Sequence, residues 1–225
     1  MILNESVLID KDAFVAKAQK YLKVDHTISV GYMFQSIDGF MVHNAYLMYS
    51  YNFGSGLALG LQFFCGVSGK KNFTEKYTEG AMNAVDTYEK SFRQMGLNIL
   101  FSKSIGVSNS FGLVPYVGPS FVGYQDKTTM ILHDSDGGAT LSDKPVTVEP
   151  TYLLFGIKGG LLLEYKFTSA IKIFCGADFQ YFPNYSATKN FDWVDSSVPT
   201  SGTVSLKDTV KMTGLSALAG ASYGF

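Results

Sequence analysis

Apolar residues alternate with small or polar residues along most of the chain. The alternation is organised in eight segments of roughly ten residues, the length of a tilted strand that spans a membrane. The segments run from Val24 to Phe34, Ala45 to Phe53, Leu57 to Val67, Met95 to Phe101, Gly112 to Tyr124, Leu153 to Phe167, Ile171 to Tyr181 and Leu215 to Phe225. A period of two predicts β-strands with two unlike faces.

The two predicted faces have different compositions. In the third segment Leu57, Leu59 and Leu61 alternate with Ala58 and Gln62. An apolar face and a mixed face fit a membrane barrel with lipid outside, or a soluble lipocalin-like barrel with the apolar face inside. The aromatic residues favour the membrane barrel, because they gather near segment ends as interface girdles do. They are Tyr32, Phe34, Tyr49, Tyr51, Phe53, Tyr165, Phe167, Tyr181, Tyr223 and Phe225.

The connections between the segments alternate in length. Short connections at 54–56, 102–111 and 167–169 alternate with long, charged ones at 69–87, 125–150 and 184–208, and Asp38-Gly39 forms one further short connection. Short turns on one side and long polar loops on the other are typical of outer-membrane barrels. The predicted fold is therefore all-β: an eight-stranded, antiparallel, up-and-down transmembrane β-barrel over residues 24–225, after a lead segment over residues 1–23.

Composition narrows the class of protein further. Charged residues make up 16% and aromatic residues 15% of the 225 residues, a balance opposite to that of disordered chains. The net charge of −1 argues against a nucleic-acid partner. Cys65 and Cys175 have no metal-ligand or redox spacing, so we expect two thiols buried in apolar surroundings, no metal and no cofactor. The N-terminus lacks a signal-peptide pattern, so an exported protein would be represented here without its signal.

The last segment carries the most specific motif. It alternates without a break from Leu215 and ends on Phe225, with Tyr223 two residues before. This strand resembles those of small eight-stranded bacterial outer-membrane proteins of the OmpA, OmpX and OmpW kind, and Pro115-Tyr116-Val117-Gly118 is also similar to a strand of that group. The resemblance implies an outer-membrane location, contact with outer-membrane lipid, and recognition of Tyr223 and Phe225 by the barrel-assembly machinery. The lead segment is longer than such barrels usually need, and is either a short helix or a partly ordered leader.

Four charged residues of the sixth and seventh segments fall on the lumen side. A three-residue turn at 167–169 places Lys158 opposite Asp178 and Glu164 opposite Lys172, so that each pair is opposite in sign. Eight strands enclose a lumen wide enough for side chains or one small ligand. The two pairs either fill the narrow barrel or form a polar constriction in a small conduit.

Two prolines lie four residues apart in the fifth segment. Pro115 and Pro119 both lack an N–H toward the same neighbouring strand, although a closed barrel has no edge on which proline is normally found. One interpretation is a lateral opening, through which an apolar molecule leaves the lumen for the membrane. The other is a bulge without a transport role.

The long connections contain two further candidate sites. Phe191 and Trp193 stand among polar residues, as an aromatic anchor does in a binding patch, although burial under their own loop is an equal alternative. His133 stands beside Asp134, Ser135 and Asp136, which is a weak signal for a lipid-modifying enzyme. Such a cluster arises easily in a polar loop, and we predict no enzyme and no catalytic residue.

Two functions fit these features. The first is a narrow outer-membrane conduit for small apolar or amphipathic molecules, with a lateral opening near the fifth strand. The alternative is a surface-exposed structural or adhesive barrel, whose long loops bind a host or partner component. A lumen that is continuous favours the conduit, and a lumen blocked by side chains favours the scaffold.

Overall fold

The computed structural model describes residues 25–79, 82–134, 145–195 and 200–225. The predicted lead, residues 1–23, lies outside the described residues. The described strands are β1 Asp25–Ile37, β2 Phe40–Asn52, β3 Leu57–Ser68, β4 Lys71–Glu79, β5 Met82–Lys103, β6 Ile105–Gly106, β7 Phe111–Asp134, β8 Val146–Val148, β9 Thr151–Lys166, β10 Ile171–Tyr181, β11 Tyr185–Asp195, β12 Thr200–Val210 and β13 Gly214–Gly224. Within these ranges, no helix has the length and apolar character needed to cross a membrane.

Eight of the strands close into an antiparallel barrel. Their order around the wall is β1, β2, β3, β5, β7, β9, β10 and β13, and β13 pairs with β1 to complete the ring. These are the eight strands that the alternation predicts. The predicted all-β, eight-stranded antiparallel barrel is therefore confirmed.

The faces of the strands are also as predicted. Phe63 is 57% exposed on the outside of the barrel, while its neighbour Phe64 is 4% exposed in the lumen. The same sorting holds on β1, where Val30 points outward and Met33 inward. Because the continuous apolar face lies outside, the lipocalin-like alternative is wrong.

The two cysteines differ from the expectation. Cys65 and Cys175 are free and exposed on the outer surface of the wall, so the expectation that they are buried is wrong. Both occupy odd positions of strands whose odd positions face outward, which is why the protein interior does not bury them.

Short hairpins join the strands where the sequence predicts them. Asp38 and Gly39 have φ angles of 47° and 76°, and the pair Ile37–Phe40 closes the hairpin around them. Positive φ at both central residues matches the right-handed twist of the flanking strands, and Asp-Gly is a preferred sequence for it.

The long connections are largely strands rather than loops. β4 pairs with the first half of β5, β7 continues beyond the barrel to Asp134, and β11 and β12 form a separate two-stranded hairpin. The long polar connections predicted on this side are therefore present, and much of each described part is built as a strand ladder. A strand that leaves the barrel already paired extends its ladder without closing a new loop, so the added pairs cost no further loop-closure entropy.

Candidate functional site: the lumen and its wall

The register between β9 and β10 differs from the prediction. Lys158 lies opposite Gln180, and Asp178 lies opposite Gly160. Likewise Glu164 lies opposite Phe174, and Lys172 opposite Lys166. The predicted register is therefore wrong by two residues.

The turn explains this shift. The N–H of Phe167 donates to the carbonyl of Ile171 at 3.0 Å, so these two residues close a turn over residues 168–170. The Thr168 hydroxyl accepts from the N–H of Ala170 and of Ile171 at 3.2 and 2.9 Å. Because the hydroxyl stabilises the turn one residue later than predicted, every cross-strand partner moves by two.

Both ion pairs form in spite of the shift. Lys158 Nζ lies 2.9 Å from Asp178 Oδ2, and Lys172 Nζ lies 3.1 Å from Glu164 Oε2. Each lysine reaches a carboxylate diagonally across the ladder, a distance that long side chains span. Gly160, opposite Asp178, leaves the space for this contact, because a Cβ there would crowd both Asp178 and the Tyr116 hydroxyl.

The deeper pair is the centre of a network across the lumen. The Tyr116 hydroxyl donates to Asp178 Oδ2 at 2.8 Å, and Lys158 Nζ donates to Gln62 Oε1 at 3.2 Å. Asn98 Nδ2 donates to the same Gln62 oxygen at 2.8 Å. The side chains of Lys158 and Asp178 are 0% exposed, so the network fills the lumen at this level.

A second polar layer crosses the lumen nearer the long hairpins. Gln180 donates to Ser120 Oγ at 2.6 Å, and Gln35 donates to Gln180 Oε1 at 2.8 Å. Gln94 donates to Gln35 and to Asn44, at 2.9 and 2.7 Å. All five residues are buried, so this layer closes the lumen a second time.

Apolar side chains continue the plug toward the end of the barrel that carries the long hairpins. They include Ile37, Phe40, Phe92, Phe182 and Met212, each between 1% and 3% exposed. Phe40 and Phe92 pack edge to face, with ring centroids 5.2 Å apart.

A buried ionic cluster ties the β11–β12 hairpin to the barrel rim. Lys189 of β11 lies 2.7 Å from Asp126 Oδ2 of β7, and Lys90 of β5 lies 3.3 Å from the same oxygen. Thr128 donates to Asp126 Oδ1 at 3.0 Å, and its hydroxyl also accepts from Lys189. Sequence reasoning missed this cluster, because Asp126, Thr128 and Lys189 lie in the long connections that were expected to be loops.

The opposite half of the lumen is a narrow vestibule of about 80 Å³. Small and polar residues such as Ser29, Ser50 and Ser102 line its mouth, together with the Glu164–Lys172 pair, while Tyr46 and Tyr116 stand at its inner end. The vestibule therefore opens at the short-turn end of the barrel and stops at the Lys158–Asp178 network.

The pairing between β5 and β7 is interrupted close to Pro119. β5 and β7 are paired at Asn98–Ser120 and at Phe101–Val117, but not at the two positions between, which include Pro119. Pro115 and Pro119 pair with β9 without interruption, so the missing donor of Pro119 faces β5. Gly118 lets the two backbones approach closely, since a Cβ there would collide with the carbonyl oxygen of Ile99. The wall thus lacks ladder bonds at this point but has no hole.

The last strand ends in an aromatic cluster at the short-turn rim. Tyr223 and Phe225 face outward, 55% and 59% exposed. Phe225 exchanges two backbone hydrogen bonds with His26, at 2.8 and 2.9 Å, and the two rings stack at 5.6 Å. This placement suits an interface anchor, while the predicted role in assembly stays a prediction.

The remaining sequence candidates lie in the long hairpins. Phe191 and Trp193 belong to β11, where their backbones pair with Val204 and Gly202, and His133 lies near the end of β7. The side chains of these three residues, and residues 135–144, lie outside the described part of the structure. Within the described ranges, no group of three or more His, Cys, Asp or Glu residues is placed to hold a metal ion.

Together these features define a closed, eight-stranded membrane β-barrel with a plugged lumen. Neither a family model nor a curated protein matches the chain. The structure is similar to a major outer membrane protein of Thermus thermophilus, with 16% identity, a TM-score of 0.55, and coverage of 89% of this chain and 99% of that one. It is also similar to the outer membrane protein OprG of Pseudomonas aeruginosa, with 12% identity, a TM-score of 0.54, and coverage of 90% and 96%.

At these identities the likeness shows the fold, and the fold is that of the small outer-membrane barrels. The resemblance to small outer-membrane barrels that the last strand suggested is confirmed for the fold.

Proposed function

We propose that the protein is a closed surface scaffold, whose long β-hairpins bind a component outside the membrane. The observation that carries this proposal is the double plug: two hydrogen-bonded layers and an apolar cap fill the lumen above the vestibule. A polar network with this many partners is costly to open, because each freed buried group would lose its hydrogen bonds.

The hairpins support the same proposal. β11 and β12 are each 11 residues long, and their ladder is joined to the barrel by the buried Lys189–Asp126 contact. A preorganised hairpin loses little conformational entropy when it binds, which favours recognition over a loose loop. The long ladders of β4, β5 and β7 build a second projecting surface on the same side.

Removal of the hairpin tests this function. A variant in which residues 185–210 are replaced by a two-residue Asn-Gly turn should still form the barrel, since β11 and β12 pair with each other rather than with the wall. Vesicles that carry the wild-type protein should adhere to one or more members of an array of glycans and matrix proteins, and vesicles with the variant should not. Equal adhesion of both, or adhesion of neither, would contradict the proposal.

A lateral conduit is the second candidate, and the interrupted ladder at Pro119 favours it. Leu100 and Gly118 occupy the interruption, and Leu100 also lines the vestibule, so a transient opening there would join the vestibule to the membrane. If this path operates, replacing Pro115 and Pro119 by valine should reduce the transfer of an apolar probe in a folded barrel. Unchanged transfer of the probe would exclude the lateral conduit and leave the surface scaffold as the remaining candidate function.

A further inference from the structure

An apolar groove of about 810 Å³ lies on the outer face of the barrel across β2, β3, β5, β7 and β9. One outward row at this level consists of Ala45, Cys65, Met95, Gly123 and Leu153, which are paired neighbour to neighbour. The next outward row toward the short-turn end is larger and consists of Leu47, Phe63, Leu97, Phe121 and Phe155. Ala45, Cys65 and Gly123 are small residues beside the bulkier second row, which gives the groove its depth, and Gly96 also lines it.

A polar row closes the groove on the side of the long hairpins. This row contains Arg93, Gln125 and Thr151, which are again paired across β5, β7 and β9. Arg93 is the only arginine in the sequence, is exposed on the outer face, and forms no salt bridge among the described residues. The change from apolar to polar side chains marks this row as the membrane boundary.

Charged residues beyond this row form salt bridges, and one of these joins Lys70 to Glu89 at 2.8 Å. Lys127 lies 2.7 Å from Glu149. The Lys127 ammonium, and to a smaller extent Arg93, holds the pKa of the Glu149 carboxyl below its usual range. Lys127 is thus engaged in a salt bridge with Glu149. Arg93 forms no salt bridge among the described residues and lies at the end of the groove nearest the long hairpins.

We propose that this groove and Arg93 bind one phosphorylated lipid of the outer leaflet, with an acyl chain in the groove and a phosphate on the guanidinium. The groove faces the hydrocarbon of the bilayer, so acyl chains surround it at high local concentration. A guanidinium binds phosphate through two parallel hydrogen bonds, which gives it both affinity and orientation.

Two pairs of variants test the site. Gly123→Leu fills the groove, and a Cβ at Gly123 would meet its nearest atoms at 3.7–3.8 Å, which is ordinary contact. Gly159→Leu is its control, because Gly159 also faces outward and a Cβ there would have neighbours at 3.5–3.9 Å. Arg93→Gln removes the cation, and Lys103→Gln is its control at the opposite end of the same strand and face.

The measurement is the number of lipids that remain bound in native mass spectra after mild detergent washing. The probes are lipid A and a phosphate-free glycolipid, a glucosyl diacylglycerol, each offered in nanodiscs. We expect the wild type and both controls to retain one lipid A. Arg93→Gln and Gly123→Leu should each lower its retention about tenfold, because a charge-assisted hydrogen bond and a filled groove are each worth about one decade.

Three results would overturn the proposal. Full retention by Arg93→Gln would show that the cation plays no part. Equal retention of the phosphate-free glycolipid and lipid A by the wild type would show an apolar groove that does not select a phosphate. A wild-type dimer that Gly123→Leu dissociates would show that the occupant is a second copy of the chain.

Discussion

Replacing Lys158 by methionine should destabilise the barrel far more than the same change at Lys172. In Lys158→Met the Asp178 carboxylate stays in a site where its side chain is 0% exposed, with the Tyr116 hydroxyl as a remaining partner. Removing one partner of a buried pair costs about 3–5 kcal/mol, which is about a hundredfold or more in the unfolding equilibrium. Lys172 and Glu164 are 32% and 18% exposed, so Lys172→Met should cost only about 0–1 kcal/mol.

A second variant separates the lost pair from lost packing. Adding Asp178→Asn to Lys158→Met removes the unpaired charge and keeps a group that can accept from Tyr116, so most of the stability should return. The assay is urea unfolding in phosphatidylcholine vesicles, followed by the heat-modifiable shift on a gel. If Lys158→Met is as mild as Lys172→Met, or if the double variant is no more stable than the single one, the assignment of a buried pair is refuted.

Three further predictions follow from the wall, the rim and the C-terminus. Pro119→Val supplies an N–H toward β5 and should raise the free energy of unfolding by about 1 kcal/mol, with slower amide exchange in β5; unchanged exchange would mean that the strands do not close there. Lys189→Met removes the contact with Asp126 and should make the β11–β12 hairpin sensitive to protease while the barrel still melts as before, and Lys211→Met is the exposed control; equal cleavage of both would exclude the anchor. Deleting Phe225 should lower the outer-membrane yield much more than the stability of refolded protein, and an unaltered yield would show that the assembly machinery does not read this residue.

The strands and their faces follow from the sequence because a closed barrel imposes one alternation on every strand. Val30, Phe63 and Ile173 lie on the outside for the same reason, namely that each belongs to the apolar parity of its segment. Register is a different quantity. Register depends on which residues close each turn. In the β9–β10 hairpin the Thr168 hydroxyl stabilises a turn that begins one residue later than the sequence predicts.

The sequence predicts which residues face the lumen, but it does not predict that they form a plug. Parity places Gln62, Asn98 and Gln180 inside the barrel, but inward polar residues fit a wet channel as well as a hydrogen-bonded layer. Only the distances across the lumen decide between the two, and these depend on the shear and tilt of the closed barrel. The Lys189–Asp126 contact was hidden altogether, since it joins residues 63 positions apart in segments that were expected to be loops.

Electrical recording from the wild-type protein in planar lipid bilayers tests the closed lumen most directly. A general porin in the same bilayer serves as the control for insertion and detection. Because two hydrogen-bonded layers and an apolar cap cross the lumen, the protein should insert without producing conductance steps. Regular steps of constant size from the folded wild-type barrel would show an open path through the lumen and contradict the scaffold proposed here.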